Sequence, residues 1–323
     1  MFNGTAFSAN RRKNNVAVMT DTVHKTRIDR VVDYIQANLG SELTVKGLSA
    51  IACFSEFHFS RIFKAQMGES VYQFIRRLRL EKAAEMLALR PGLAVTEVAL
   101  TCGFTTPSAF AKSFKDHFKV SATQWRRQCR MTVREEQARS ASGICRLAFA
   151  GGAPVWTSDC EEGCRRITLE QMPRLKVGYI RYVGPYQEND TLFDNLYHRL
   201  FQWALPKGFL NEAPVRFNIF HDNPDITQST RLRVMAAIPV PESIGKSNTV
   251  GIFTLSGGTY GVCRLQLKKG EFVKAWEWMF ATWLARSGYE LDDREMLERY
   301  LGERTVNGQQ VFDVDLCIPV RAK

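Results

Sequence analysis

The chain has 323 residues, of which 45% are hydrophobic and 24% charged, and this composition excludes a protein that is disordered throughout. A single core rarely grows to this length, so the sequence predicts two domains. Its apolar runs are shorter than the roughly 18 residues that suggest a membrane span, and its start lacks the apolar segment of a signal peptide. We therefore expect a cytoplasmic protein without membrane contact.

Positive charge is concentrated in the first part of the chain. The formal net charge is +11, and residues 1–130 hold 20 Lys and Arg against 10 Asp and Glu, whereas residues 131–323 hold 24 against 23. Charge that served solubility alone would be spread more evenly. The first 130 residues are therefore predicted to bind a polyanion, with nucleic acid as the leading candidate.

Residues 43–128 contain one sequence pattern that occurs twice. Four hydrophobic positions recur fifty residues later, and a second series recurs after one extra residue in the second copy. The pairs are Leu43 and Leu93, Val45 and Val95, Leu48 and Val98, Phe54 and Phe104, then Phe59 and Phe110, Phe63 and Phe114, Lys64 and Lys115, Ser70 and Ser121, Gln73 and Gln124. A duplicated helix-turn-helix explains this pattern and predicts double-stranded DNA as the partner.

The helix predicted over residues 55–67 of the first copy has two different faces. Its apolar stripe contains Phe59, Ile62 and Phe63, and its opposite face carries Phe57, Ser60, Arg61 and Lys64. In a recognition helix the polar face enters the major groove, where Arg61 suits a bidentate contact to guanine and Phe57 a thymine methyl group. If this helix occurred once, its polar face could equally be a solvent-exposed surface without a partner. The same pattern in the second copy favours contact with DNA.

The matching helix of the second copy has Thr105 or Thr106 as its cap and Pro107 in its first turn. Its outward face carries Ser108, Lys112 and Lys115. Lysine discriminates among partners by geometry less well than arginine does. The second helix is therefore predicted to anchor phosphates more than it reads bases.

Between the copies, residues 70–90 are predicted to form one rigid helix that ends before Pro91 and Gly92. Arg76, Arg77 and Arg79 on this helix are expected to reach the DNA backbone. A rigid connection would fix the separation of the two recognition helices, so that both could enter successive major grooves about 34 Å apart.

Residues 131–165 are predicted to be a linker, and the remainder a second domain that is also duplicated. A strand, an amphipathic helix and a closing strand are predicted over 177–182, 192–205 and 233–240, and again over 260–267, 272–284 and 313–320. Two pseudo-symmetric β-α-β units that share an antiparallel sheet explain this order, with a cleft between their helices. The predicted fold class is an all-α tandem helix-turn-helix domain followed by an α+β domain.

The eight cysteines give little indication of a metal site. Cys160 and Cys164 are separated by three residues, with Cys145 upstream, and the others are scattered. One close pair without a second pair is a weak zinc signal. We therefore predict no metal and no cofactor.

The segment GFTTPSAFAKSFKDHFKVSATQWRR, together with its earlier copy, resembles the DNA-binding domain of the AraC/XylS transcription regulators. The resemblance covers residues 25–130, which leaves residues 1–24 as a tail predicted to be disordered. It implies seven helices, base contacts from both recognition helices and RNA polymerase as a protein partner. The positions it implies for base contact are Phe57, Ser60 and Arg61, then Ser108 and Lys112. Lys112 stands where arginine is common in the multidrug-resistance subset of the family, so no target sequence is carried over.

Four segments of residues 166–323, GPY, HDNPD, SGGTYGV and MLERYL, resemble the GyrI-like effector-binding domain. The resemblance implies a pocket for a small amphipathic or cationic molecule, with Glu298 as its acid. A carboxylate among aromatic rings can hold a lipophilic cation by charge and by cation–π contact. The candidate pocket walls are Tyr182, Tyr186, Trp203, Tyr260, Trp276 and Tyr300. The alternative places Glu298 on a solvated helix edge near Arg294.

Three functions remain open at this point. The leading hypothesis is a sequence-specific transcription regulator, with activation favoured, that responds to a small molecule. In the second hypothesis the C-terminal domain hydrolyses a reactive small compound. The sequence offers no Ser-His-Asp arrangement, no HExxH motif and no phosphate-binding glycine loop, so a non-enzyme is favoured. In the third, the protein is an architectural DNA binder of low specificity.

Overall fold

The computed structural model describes residues 22–90, 92–129, 145–150, 153–160, 163–186, 191–210 and 214–322. Residues 1–21 of the predicted N-terminal tail lie outside the described residues. The side chains of Cys145, Cys160 and Cys164 lie outside them as well. Within the described ranges, no helix combines the length and the hydropathy needed to cross a bilayer.

In the described part of residues 22–129, the N-terminal domain has seven helices, the number that the family resemblance implies. They are α1 (22–37), α2 (Val45–Ala52), α3 (Glu56–Met67), α4 (Val71–Leu89), α5 (Val95–Thr101), α6 (Pro107–Phe118) and α7 (122–129). Helices α2 and α3 form the first helix-turn-helix, and α5 and α6 form the second. Residues 22–24, which we assigned to a disordered tail, are part of α1.

The sequence repeat extends to the hydrogen bonds that begin α4 and α7. The Ser70 backbone N–H donates to Gln73 Oε1 at 3.0 Å, and the Gln73 N–H donates to Ser70 Oγ at 3.3 Å. Ser121 and Gln124 form the same two bonds, at 3.0 and 3.2 Å. Each pair satisfies two backbone donors that a helix start leaves unpaired, so both modules begin their closing helix in the same way.

Helix α4 belongs to the cores of both modules. Its first half packs into the first core through Val71, Phe74, Ile75 and Leu78. Its second half packs into the second core through Leu80, Ala83, Ala84, Met86 and Leu87. A continuous helix buried at both ends resists bending, because bending it would open one of the cores.

The C-terminal domain is one antiparallel sheet with helices on one face. Its strands are β1 (Cys145–Ala150), β2 (Ala153–Cys160), β3 (Gly163–Met172), β4 (Leu175–Val183), β5 (Arg216–Phe220), β6 (Arg233–Pro239), β7 (Gly251–Leu255), β8 (Gly258–Lys268), β9 (Tyr289–Leu291), β10 (Met296–Val306) and β11 (Gln309–Ala322). Their order is β1-β2-β3-β8-β11-β10-β5-β6-β4-β7, with β9 paired to β11. Strands β1 and β2 and the start of β3 occupy 17 of the 35 residues that are predicted as a linker (131–165), so the linker prediction is wrong for those strands.

The predicted pseudo-symmetry is present, with more strands than predicted. One unit is β3, β4, α8 (Leu192–Ala204), β5 and β6; the other is β7, β8, α9 (Phe272–Trp278), β10 and β11. A π-helical stretch, Met279–Leu284, continues α9. Each unit therefore has four long strands rather than two, and the second unit also contains the short strand β9. Strand β3 pairs with β8 and β7 pairs with β4, so each unit lends its first strand to the other.

The face of the sheet opposite α8 and α9 contacts the helical domain. The Tyr179 hydroxyl donates to Asp33 Oδ2 of α1 at 2.5 Å. Arg181, 1% exposed, pairs with Asp29 at 2.8 Å and also with Asp33. These buried polar contacts join the two domains at α1 and β4.

Candidate DNA-reading surface and ligand pocket

The first recognition helix, α3, presents the predicted face to solvent. Ser55 caps it by accepting the His58 N–H at 3.4 Å, and Phe59 and Phe63 are fully buried. Burial of that stripe turns the opposite face outward, so the four predicted residues are all exposed: Phe57, Ser60, Arg61 and Lys64. The α3 surface is therefore accessible to DNA along one side.

Phe57 and Arg61 form a pair on that surface. The Phe57 ring is 74% exposed, and the Arg61 guanidinium lies 5.7 Å from its centre. Single exposed rings are common on protein surfaces, so the significance of Phe57 comes from its pairing with Arg61. Stacking on the ring limits the rotamers of Arg61, which reduces the entropy that a base contact would cost.

The second recognition helix, α6, presents its predicted face in the same way. Thr106 caps it by accepting the Ala109 N–H at 3.2 Å, with Pro107 at the first position. Phe110 and Phe114 are buried, and the three predicted residues are exposed: Ser108, Lys112 and Lys115. Lysine supplies charge without the fork geometry of arginine, so the prediction that α6 mainly anchors phosphates stands as a prediction.

Two of the three arginines predicted to reach DNA from α4 have other partners. Arg77 is 5% exposed and donates to Glu69 at 2.6 Å and to Glu81 at 3.0 Å. Its predicted contact with the DNA backbone is wrong, because the C-terminal domain and two carboxylates cover that side of the helix. Burial raises the pKa of the Glu81 carboxyl to about 7, against the opposing effect of Arg77.

Arg79 is also committed to the fold. Its Nε donates to the Leu39 carbonyl at 3.0 Å and its Nη2 to the Ser41 carbonyl at 2.7 Å, which fixes α4 against the end of α1. We correct its predicted DNA contact, because a guanidinium bound to two carbonyls is not free to follow a phosphate. Arg76 is half-buried, and its contact with DNA remains a prediction.

Glu298 lies at the centre of the sheet face that carries α8 and α9. It stands on β10, opposite Asn218 of β5 and Leu316 of β11, and it is 4% exposed. The alternative of a solvated helix edge is therefore wrong. Strand pairing on both sides holds the residue, and pairing between segments distant in sequence cannot be inferred from a short apolar pattern.

The Glu298 carboxylate accepts hydrogen bonds from three neutral donors. They are Trp276 Nε1 at 3.1 Å, Asn218 Nδ2 at 3.0 Å and the Tyr300 hydroxyl at 2.8 Å. Burial raises the pKa of Glu298, and the three hydrogen bonds oppose that shift. A carboxylate stabilised by neutral donors in a buried site gains more from a cationic partner than one already ion-paired.

Aromatic rings surround this carboxylate. Trp276 stacks on Phe280 with ring centres 6.2 Å apart and meets the edge of Phe220 at 6.2 Å. Phe220 lies 5.6 Å from Tyr186, and Tyr300 stacks on Phe272 at 6.2 Å. Rings of this kind offer their negative faces to a cation that approaches the acid.

The structure brings together half of the predicted pocket walls. Tyr186, Trp276 and Tyr300 lie around Glu298. Tyr182 shares the same face of the sheet but lies on β4, two strands from β5. Trp203 packs over Gly178 near the far end of α8, and Tyr260 belongs to the core on the opposite face. The prediction that Trp203 and Tyr260 line the pocket is therefore wrong. Tyr260 points to the other face of the sheet because side chains alternate along a strand, and Trp203 lies too far along α8 from the acid.

The sequence analysis did not predict two polar residues of this site, Asn218 and Tyr197. Asn218 donates to Glu298 and to the Tyr300 hydroxyl, and it is oriented by Tyr197, whose hydroxyl donates to Asn218 Oδ1 at 2.8 Å. Asn218 is 2% exposed. The available signal was a single amide in the short apolar run RFNIF, since a buried polar group needs partners.

The helical and sheet domains together define a protein with two helix-turn-helix modules and an appended domain around a buried acid. Residues 48–128 match the helix-turn-helix domain family, and residues 166–321 match the GyrI-like small molecule binding domain family. The chain is 32% identical over 118 residues to the transposon Tn10 TetD protein of Escherichia coli, which covers 36% of this chain and 85% of that protein. The present chain belongs to the AraC-type helix-turn-helix family and carries a C-terminal GyrI-like domain.

Two further relatives match different shares of the chain. The transcriptional regulator MtrA of Neisseria gonorrhoeae is 35% identical over 101 residues, which cover 31% of this chain and 32% of MtrA. A DNA gyrase inhibitor of Pantoea sp. (strain At-9b) is 29% identical over 147 residues, which cover 45% of this chain and 90% of that protein. The chain spans less than half the length of several transcription regulators that it matches.

Proposed function

We propose that this protein is a sequence-specific transcription regulator, with activation the favoured direction, whose GyrI-like domain binds a small amphipathic cation at Glu298. The observation that supports it best is the exposed face of α3, where Arg61 lies over the Phe57 ring on the side opposite the buried Phe59 and Phe63. Activation also requires RNA polymerase as a partner, which the family resemblance implies.

Selection of bound sites from random duplex DNA tests the DNA-binding part of the proposal. The full chain should enrich one bipartite sequence, and footprinting should protect that sequence at salt concentrations where other duplexes are released. Binding that is uniform across sequences and disappears as salt rises would indicate an architectural DNA binder instead. Ligand turnover by the full chain would revive the hydrolase hypothesis.

Arg61→Ala should weaken binding to the selected duplex by about 1–3 kcal/mol and relax the base preference at one position. The reason is that a bidentate guanidinium contact reads one base pair and its loss leaves the other contacts in place. The measurement is the Kd for a set of duplexes that differ at single positions within the selected site.

Lys115→Ala is the matched control, since Lys115 lies at the corresponding exposed face of α6. Loss of a phosphate contact should weaken binding to every duplex by a similar factor and reduce the salt dependence by about one ion. If Arg61→Ala also weakened all duplexes equally, Arg61 would be a phosphate contact rather than a base reader.

The affinity for a lipophilic quaternary ammonium compound should rise with pH through the raised pKa of Glu298 and be constant above it. The ligand keeps its charge at every pH, and only the ionised carboxylate attracts it. Burial places this ionisation above the ordinary value of 4.5. Burial raises the pKa values of the nearby phenols of Tyr186, Tyr197 and Tyr300, so these phenols stay neutral in this range.

Glu298→Gln should remove this pH dependence and weaken binding above the transition by at least about 2 kcal/mol, or about thirtyfold. A neutral analogue of the ligand, with carbon in place of the ammonium nitrogen, should bind both proteins with similar affinity. Fluorescence titration measures both series. Equal affinity of the cation for the wild-type protein and the Glu298→Gln variant at pH 8 would show that the acid does not hold the ligand.

A further inference from the structure

The loop between β5 and β6, residues 221–232, has a fixed shape of its own. The Asn223 carbonyl accepts the N–H groups of Ile226 and Thr227 at 3.0 and 2.8 Å, and the Asn223 side chain accepts the Asp225 N–H at 2.9 Å. At its base, Asp222 accepts the Arg233 backbone N–H at 2.7 Å and pairs with the Arg233 side chain. This loop is therefore ordered from its base to its tip.

Both ends of the loop contact the first helix-turn-helix module and the helix α1 that packs on it. His221 Nδ1 lies 3.1 Å from Gln36 Nε2 of α1. Arg231 Nη1 donates to Glu69 Oε2 at 3.1 Å. Glu69 lies in the turn that joins α3 to α4, and its other oxygen accepts from Arg77. The loop is thus attached directly behind the C-terminus of the first recognition helix.

The middle of the same loop contacts the second module. Ile226 packs against the core that contains Phe110 and Phe114 of α6. Its side chain is half-buried, and the neighbouring Thr227 is 4% exposed. A single loop of the C-terminal domain therefore touches both helix-turn-helix modules, one through an ion pair and the other through apolar packing.

Helix α4 lies between this loop and a second place, around Arg79, where the first module lies against the second. Arg79 binds the carbonyls of Leu39 and Ser41 and approaches Gly103 of the second module. At 100° per residue, Arg77 and Arg79 point about 200° apart around α4. The loop therefore packs on the side of α4 opposite Arg79. Contacts on both sides of α4 resist rotation of one module relative to the other about the axis of this helix.

We infer that the 221–232 loop is a positioning element for DNA recognition, which fixes the separation and the relative orientation of α3 and α6. Ile226 and Arg231 are its positioning residues. With the two recognition helices held in this way, the protein prefers duplex DNA whose two half-sites are separated by one fixed spacing. This inference rests on the proposed function, because it specifies how the two recognition helices act together on DNA.

The test uses the full chain with Ile226→Ala and Arg231→Ala combined, and duplexes derived from the selected site. One inserted base pair moves the second half-site by about 3.4 Å, and the wild-type chain should bind that duplex about tenfold more weakly or worse. In the variant this spacing penalty should fall below about threefold. Affinity for a duplex with only the α3 half-site should be the same for both proteins.

Arg231→Ala alone should reduce the spacing penalty in smaller measure, and it leaves the packing of Ile226 in place. The Arg231 side chain is 39% exposed, so its removal does not open a hydrophobic core. Gln228→Ala, an exposed position in the same loop, is the control and should keep the wild-type penalty. An unchanged penalty in the double variant overturns the inference alone, whereas a wild-type chain that selects no duplex overturns the proposed function with it.

Discussion

Arg181→Ala should lower the free energy of unfolding by about 3–5 kcal/mol. The guanidinium is 1% exposed and pairs across the domain boundary with Asp29 and Asp33, so its removal leaves two carboxylates in a buried interface. Urea unfolding followed by tryptophan fluorescence measures this effect. A lower midpoint, or two separate transitions in place of one, would both report loss of the contact between α1 and β4.

The size of the effect should depend on pH in a defined direction. Burial raises the pKa of Asp33, and Arg181 opposes that shift. Without Arg181, Asp33 should take up a proton more readily, and a protonated acid costs less to bury. The loss of stability should therefore be smaller at pH 5 than at pH 8, and adding Asp33→Asn to Arg181→Ala should recover part of it.

Arg321→Ala is the matched control for this prediction. Arg321 pairs with Glu290 at 2.7 Å, but its side chain is 44% exposed. Water screens such a pair, so its removal should cost less than about 1 kcal/mol. A comparable small loss for Arg181→Ala would mean that the buried pairs contribute little to the attachment of the domains.

The helical domain was predictable because its signals are local. Ser70 and Gln73 satisfy each other within four residues, and Ser121 and Gln124 repeat that arrangement. Helix caps and apolar stripes are set by neighbours three or four residues away, so they can be read from one sequence. The exposed faces of α3 and α6 follow from the same stripes.

The failures share a different physical cause. Arg77 has the sequence surroundings of a surface arginine, and the Glu69 and Glu81 carboxylates and a loop more than 140 residues away bury it. Glu298 has the surroundings of a helix residue, and pairing with β5 and β11 makes its segment a strand. Contacts between distant segments override local preference, and one sequence without aligned relatives does not contain them.

The pseudo-symmetry of the C-terminal domain leads to the second large effect. Gly261 on β8 faces Trp283, and Gly178 on β4 faces Trp203, at corresponding places in the two units. A Cβ atom on Gly261 would overlap the Trp283 ring, whose side chain is fully buried in the π-helical stretch after α9. Gly261→Ala should therefore lower the free energy of unfolding by about 3 kcal/mol, at the upper end of the range for overpacking.

Gly178→Ala should cost much less, under about 1.5 kcal/mol. There the added Cβ would lie 3.0 Å from Trp203, which is half-buried and has room to move.

Displacement of Trp283 should also move α9, which carries Trp276 and its hydrogen bond to Glu298. Gly261→Ala should therefore weaken binding of the quaternary ammonium compound, while Gly178→Ala should not. Trp283→Leu added to Gly261→Ala should restore part of the stability, and equal losses from the two glycine substitutions would contradict the assigned packing.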